Sequence, residues 1–201
     1  MQVRRAGTMG AATMKRGGQV LTLFDGEIEV HYGFANIGSC DPASGGAPRG
    51  GPPDWHTSVH GQSNGILGGA VPGWLLLLMG LHTGTAPLRV QWSDTEPPPP
   101  GDEFQDVVEA SFTPASADLR VWTFQDVYPV LLPLVADLRV RYSISGMDRG
   151  REANVREPEE PVVEQGLLHL WPAPSAPDAV LRSGSVTGRG WHEQVPRVPA
   201  E

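Results

Sequence analysis

The sequence predicts an all-β protein, a two-sheet antiparallel sandwich of jelly-roll type with about eight strands and one short C-terminal helix. Three observations lead there. Apolar residues recur at every second position in several segments, the spacing of a strand with one buried face. The chain holds 25 Gly and 20 Pro, which favours short strands and frequent turns. No segment alternates strand and helix patterns as a parallel, doubly wound sheet requires.

Val20 to Phe24 is an apolar run followed by Asp25-Gly26, a hairpin signal that predicts a first pair of strands. The second member is Glu27 to Phe34, where Ile28, Val30, Tyr32 and Phe34 alternate with Glu27, Glu29, His31 and Gly33. Leu75 to Met79 is apolar without alternation, and the flanking Pro72-Gly73 and Gly80 favour a central strand covered on both faces over a buried helix. Leu88, Val90 and Trp92 take the inward phase against Arg89 and Gln91; Leu138, Val140, Tyr142 and Ile144 take it against Arg139, Arg141 and Ser143, which places the arginines on a wet face. Val107–Phe112, Leu119–Phe124 and Leu167–Trp171 complete the set. Ser175 is a candidate N-cap for a helix through Pro177, Asp178, Val180 and Leu181, ended by Gly184. Pro97 to Pro100 reads as a stiff turn.

The 201 residues fit one domain. Residues 1–18 read as a flexible basic tail, 19–192 as the sandwich with a long Gly/Pro-rich loop over 35–69, and 193–201 as a flexible C-terminal tail. A loop of that length is either functional or disordered.

The formal charge is −8, and residues 1–18 hold Arg4, Arg5, Lys15 and Arg16 with no acid, which leaves 11 bases against 23 acids on the remainder. An acidic body of net −12 argues against nucleic acid as a ligand, because phosphate binding needs a basic patch. It suits a basic protein partner instead. Between Arg89 and Arg120 the chain carries seven acids and no base; of these Asp94, Glu96, Asp102, Glu103, Asp106 and Glu109 form the expected acidic binding face. Trp55, His56 and His60 in the long loop are the companion candidates, with Trp55 as an exposed aromatic anchor. Of the 15 basic residues only Lys15 is a lysine, a codon-usage signature that removes weight from reading the arginines as phosphate forks.

Cys40 is the only cysteine, so no intrachain disulfide can form. The basic start lacks an apolar h-region, and Trp74–Met79 with Leu81 is far short of a membrane span, so the expectation is a cytoplasmic protein with no membrane association.

Motifs with chemical meaning each fail on context. Gly61-Gln62-Ser63-Asn64-Gly65 matches the nucleophile-elbow pattern G-x-S-x-G. It should open a helix, but three glycines and a proline follow before residue 74. With Asp126 and His169 or His192 it forms the alternative reading, a serine- or histidine-dependent hydrolase. His56 and His60 stand at i and i+4, a metal spacing only on a helix, without the Glu that a zinc-protease helix carries after its first histidine. The Gly-rich stretch lacks the Lys-Ser/Thr pair of a phosphate-binding loop. No metal or cofactor is expected. Six tryptophans keep a small-ligand or carbohydrate-binding sandwich as a further alternative.

The runs Leu23 to Phe34, Ala70 to Gly73, Gly80 to Gly84 and Leu170 to Pro174 resemble an uncharacterised actinobacterial family over most of residues 20–192, which implies a bacterial source. Ile28–Phe34 and Asp137–Ile144 also resemble strands of the competence protein J family, whose members inhibit a DNA-entry nuclease. Where such strands often carry Leu-Pro-x-Gly, this chain has Leu132-Pro133-Leu134-Val135. The resemblance implies a β-rich, non-catalytic inhibitor that contacts a protein.

Overall fold

A computed structural model describes residues 20–40 and 51–196. The expected tail 1–18 and part of the loop 35–69 lie outside the described residues. The strands are β1 (Leu21–His31), β2 (Phe34–Ser39), β3 (Leu67–Gly68), β4 (Trp74–Leu78), β5 (Thr83–Trp92), β6 (Asp106–Phe112), β7 (Asp118–Trp122), β8 (Val127–Leu131), β9 (Leu138–Ser145), β10 (Gln165–Pro172) and β11 (Ala179–Ser183). The helices are α1 (Trp55–Ser58), α2 (Met147–Ala153) and α3 (Val186–Gln194).

These strands form one curled, mixed 11-stranded sheet in the order β11-β6-β9-β10-β5-β1-β2-β4-β3, with β7 paired to β2 and β8 to β7. The architecture is therefore mostly β, but the expectation of two separate antiparallel sheets and eight strands is corrected. The link between the two wings is slight. β1 meets β2 through the single pair His31↔Phe34, whereas β1 and β5 pair along their whole length, from Leu21↔Trp92 to His31↔Thr83. The wings share one hydrophobic core, where Ile28, Val30, Leu88, Val90 and Tyr142 of one pack with Ile37, Leu75, Leu77 and Val121 of the other. The Tyr142 hydroxyl crosses that core to donate to the Leu78 carbonyl at 3.3 Å. β10 runs parallel to β5, the one parallel pair among the named strands of the described residues.

Two local expectations are also corrected. Asp25-Gly26 is not a turn: β1 runs straight through it, and Asp25 sits opposite Arg89 in an exposed ion pair of 2.9 Å. The turn lies at Tyr32 and Gly33, both at positive φ (55° and 76°), the requirement of a tight two-residue hairpin turn. Tyr32 is consequently exposed, not inward. The helix expected after Ser175 is strand β11, antiparallel to β6; Pro174 and Pro177 hold its approach extended. The C-terminal helix instead starts at Ser185, whose Oγ accepts from the Gly188 N–H at 2.8 Å. It runs to Gln194, with Val195 buried behind it, so residues 193–195 are part of the folded body. Of the expected 35–69 loop, β2 takes the beginning, 41–50 lie outside the described residues, and α1 and β3 take the end. No helix among the described residues is long and apolar enough to cross a membrane.

Candidate functional site

The alternation in β9 sends Leu138, Val140, Tyr142 and Ile144 into the core and Arg139, Arg141 and Ser143 to the opposite face. That face is not wet. Arg141 is 4% exposed, because the 93–105 connection between β5 and β6 folds over it. Four hydrogen bonds and one further ion-pair contact hold it. Nε donates to Glu109 Oε1 at 2.8 Å, Nη1 to the carbonyls of Pro97 and Pro98 at 3.0 Å each, and Nη2 meets Glu96 Oε1 at 3.0 Å and Glu109 Oε1 at 2.7 Å. Its guanidinium lies 5.2 Å over the Trp171 ring. Arg139 Nη2 donates to Glu109 Oε2 at 3.1 Å and Nη1 to the carbonyls of Ala176 and Pro177, so it ties down the segment that leads to β11.

Beside them His169 Nε2 lies 2.6 Å from Ser93 Oγ. Burial, helped by the Arg141 charge, pushes its pKa down to about 4, so the ring is neutral and adds no further positive charge beside the guanidiniums. Ser93 is thus fixed where the connection leaves β5. At its far end Arg182 Nη1 donates to the carbonyls of Gly101 and Phe104 at 2.8 and 2.6 Å, and Nη2 stands 3.6 Å from Asp102 Oδ1. The connection is pinned at its start, middle and end, and it displays Asp94, Glu96, Asp102 and Glu103, all exposed.

Asp106 and Glu109 are not on that surface. Asp106 is fully buried and its Oδ1 accepts from the N–H groups of Gly184 and Ser185 at 3.1 and 3.3 Å; Glu109 is the carboxylate shared by the two arginines. A run of acids in sequence cannot reveal that β6 is buried on both faces, with Asp106 in the core-face phase of Val108 and Ala110 and Glu109 in the opposite phase, against the arginines.

Trp55 is no exposed anchor either. Asp54 caps α1, accepting from the Thr57 N–H at 2.9 Å, a bond that holds its carboxyl below the usual range. Trp55 is then 9% exposed, with Nε1 donating to the Gly65 carbonyl at 2.8 Å and its ring 5.1 Å from Trp191. His56 and His60 are exposed. The helix ends at Ser58, so the i, i+4 spacing does not bring the two imidazoles to one helical face. Among the described residues no three His, Cys, Asp or Glu side chains are grouped to hold a metal ion.

The Gly61–Gly65 segment is not a nucleophile elbow, since it leads to the two-residue strand β3. Asp178 Oδ2 accepts from Ser63 N–H and Oγ, and from Asn64 N–H and Nδ2, at 2.8 to 3.0 Å. His192 comes close, but its Nδ1 accepts from the Gly65 N–H at 2.9 Å. That lone pair is occupied, so the remaining nitrogen carries the proton and cannot take one from Ser63. Asp126, in the β7–β8 turn, and His169, on the other face, are not part of this cluster. Asp178 had no motif to mark it; its only signal is its place after Pro177, at the approach to β11.

No family model matches the chain, and no curated protein matches it in sequence. Two solved structures share its fold. ComJ from Bacillus subtilis, described as an inhibitor of the DNA-degrading activity of NucA, superposes with a TM-score of 0.52 at 8% identity, over 77% of this chain and 99% of that one. The product of crocagin biosynthetic gene J superposes with a TM-score of 0.50 at 15% identity, over 79% of this chain and 99% of its own. The resemblance drawn from Ile28–Phe34 and Asp137–Ile144 is thus met by a likeness of fold.

Proposed function

We propose that the chain is a non-catalytic, inhibitor-type module that grips a basic protein through the 93–105 connection. The observation that carries this reading is the way the connection is built. Asp94, Glu96, Asp102 and Glu103 stand exposed on a backbone whose carbonyls are held by buried Arg141 and half-buried Arg182. Ordered carboxylates lose little conformational freedom on binding, so their attraction to a cationic surface is not spent on fixing the loop. The DNA-binding cleft of a nuclease is such a surface, and the likeness of fold to ComJ supports choosing a nuclease as the partner class. The closed geometry around Ser63 disfavours the hydrolase alternative.

The test is a DNA-cleavage assay over a panel of basic bacterial nucleases, with binding followed in parallel by surface plasmon resonance. At least one nuclease should be inhibited at about 50 mM salt and released at about 500 mM. The variant Asp94→Asn/Glu96→Gln/Asp102→Asn/Glu103→Gln should lose most of that inhibition while keeping its melting temperature within a few degrees. Inhibition that persists in this variant, or binding indifferent to salt, would refute the proposal.

A further inference from the structure

The register of β1 with β5 puts the acidic connection at one end of these strands and the β1–β2 turn at the other, roughly 35 Å away for an 11-residue strand. At that far end a cavity of about 320 Å³ is lined by Tyr32, Gly33, Gly80, His82, Arg151 and Asn154, among others. Its size is at the lower bound for small-molecule sites.

The cavity gathers the strained backbone of the molecule. Tyr32 and Asn154, at φ 55° and 60°, are the two non-glycine residues with positive φ among the described residues, and both line it. Asn tolerates the left-handed region, whereas a bulky aromatic is disfavoured there. The surroundings hold this conformation in place: Gly33 N–H donates to the His82 carbonyl at 3.0 Å, Met79 N–H donates to the Gly33 carbonyl at 2.9 Å, and the Asn154 carbonyl accepts from the N–H groups of His82 and Thr83 at 3.0 Å each. Strain maintained from several sides is a mark of sites that need a side chain in one place.

The charge of the lining runs against that of the body. It offers a guanidinium, an imidazole and a carboxamide and contains no carboxylate, on a chain whose residues after 18 hold 23 acids to 11 bases. Arg151 has no ion-pair partner among the described residues. The aromatic surfaces are turned outward as well. Tyr32 is 63% exposed, its ring 5.0 Å from that of His82 at 73°. His82 Nδ1 is engaged by Thr83 Oγ1 at 2.8 Å, which fixes the imidazole and leaves Nε2 to meet a ligand.

We propose that this cavity binds a small ring-bearing organic anion, its carboxylate or phosphate on Arg151 and Asn154 and its ring against Tyr32 and His82. The site is independent of the acidic connection and of any protein partner. It is tested by fluorine NMR on the full chain with 4-fluorobenzoate, 4-fluorophenyl phosphate and, as the uncharged control, 4-fluorobenzamide. One of the two anions should bind, and which one does decides between carboxylate and phosphate; the amide should bind at least about tenfold more weakly, the worth of a charge-assisted bond. Arg151→Gln should lower the anion's affinity by a similar factor. Tyr32→Gly removes the backbone strain, so it should raise the melting temperature and yet weaken binding, a combination that a merely structural tyrosine would not produce. Absence of binding by both anions at millimolar concentration, equal binding of the amide, or unchanged affinity in the folded Arg151→Gln and Tyr32→Gly variants would each overturn the proposal.

Discussion

Glu109 is one carboxylate facing two buried guanidiniums, since Arg139 and Arg141 each take one of its oxygens at 3.1 and 2.8 Å. Glu96 adds a second negative charge from the solvent side. Removing one member of a buried ionic cluster leaves uncompensated charge, and this costs about 3–5 kcal/mol. Glu109→Gln is therefore expected to lower unfolding stability by roughly that amount at neutral pH, read as a shift of the urea midpoint; a loss below about 1 kcal/mol would mean that the carbonyls of Pro97, Pro98, Ala176 and Pro177 satisfy the arginines by themselves. Replacing Glu109, Arg139 and Arg141 together by Leu and Met should recover most of the loss, because apolar groups of similar volume often substitute for a buried ion cluster without cost. This cluster was half legible in the sequence. The period of two separates Arg139 and Arg141 from the core face correctly, but it carries no information on what lies over the other face. The covering segments, 93–105 and 172–178, are Pro-rich and irregular, and their role depends on contacts far apart along the chain.

At the scale of elements, long alternating runs were readable and short strands were not. β5 and β9 show their pattern over five or more positions, whereas β3 has two residues and β8 has Pro129 at its centre on a sheet edge. Asp25-Gly26 misled because Asp-Gly is a turn signal only when the chain reverses there, and β5 is long enough to pair with β1 on both sides of it. Gly84, opposite Val30 in that ladder, shows what the longer pairing demands. Its φ is 134°, and a Cβ placed there would collide with the Arg156 carbonyl. That residue also donates its N–H to the Thr83 carbonyl at 3.0 Å and Nη1 to the Thr85 carbonyl at 2.7 Å, so the 155–161 segment is clamped against β5 through this point. Gly84→Ala combines backbone strain with steric overlap and should cost roughly 3 kcal/mol or more. The same substitution at Gly61, also at positive φ (74°) but with nothing within 4 Å, should cost only about 1 kcal/mol. Thermal unfolding of the two variants separates the contributions, and equal losses would exclude the clamp.

Over the whole molecule, β10 and the residue before it carry groups whose titrations oppose each other. Glu164, one residue before β10, is buried and accepts the N–H groups of Gly80 and Leu81 at 2.7 and 2.8 Å, fixing the β4–β5 turn. Burial outweighs those bonds and pushes its pKa from 4.5 up to about 7. The folded chain therefore holds more protons than the unfolded chain between these values, and stability from Glu164 falls as pH rises from about 4.5 to 7. His169, within β10, is lowered from 6.5 to about 4. Here the unfolded chain holds more protons, so stability from His169 rises with pH from about 4 to 6.5. His192 is lowered by burial and acts in the same sense. In the shared window of about pH 4.5 to 6.5 the slopes of Glu164 and His169, each at most about 1.4 kcal/mol per pH unit, oppose one another and His192 adds to the rising side, so the folded chain should show only a shallow rise of stability there. Glu164→Gln removes the falling component and should leave stability rising with pH across the window, even though the amide forfeits one N–H acceptor and lowers stability overall. His169→Asn should do the reverse and tilt the profile towards falling with pH. Urea unfolding at three pH values between about 5 and 6.5 distinguishes these slopes from a uniform offset. A Glu164→Gln profile parallel to that of the unaltered chain would show that the carboxyl stays ionised in the core, stabilised by Gly80 and Leu81 more than burial opposes it.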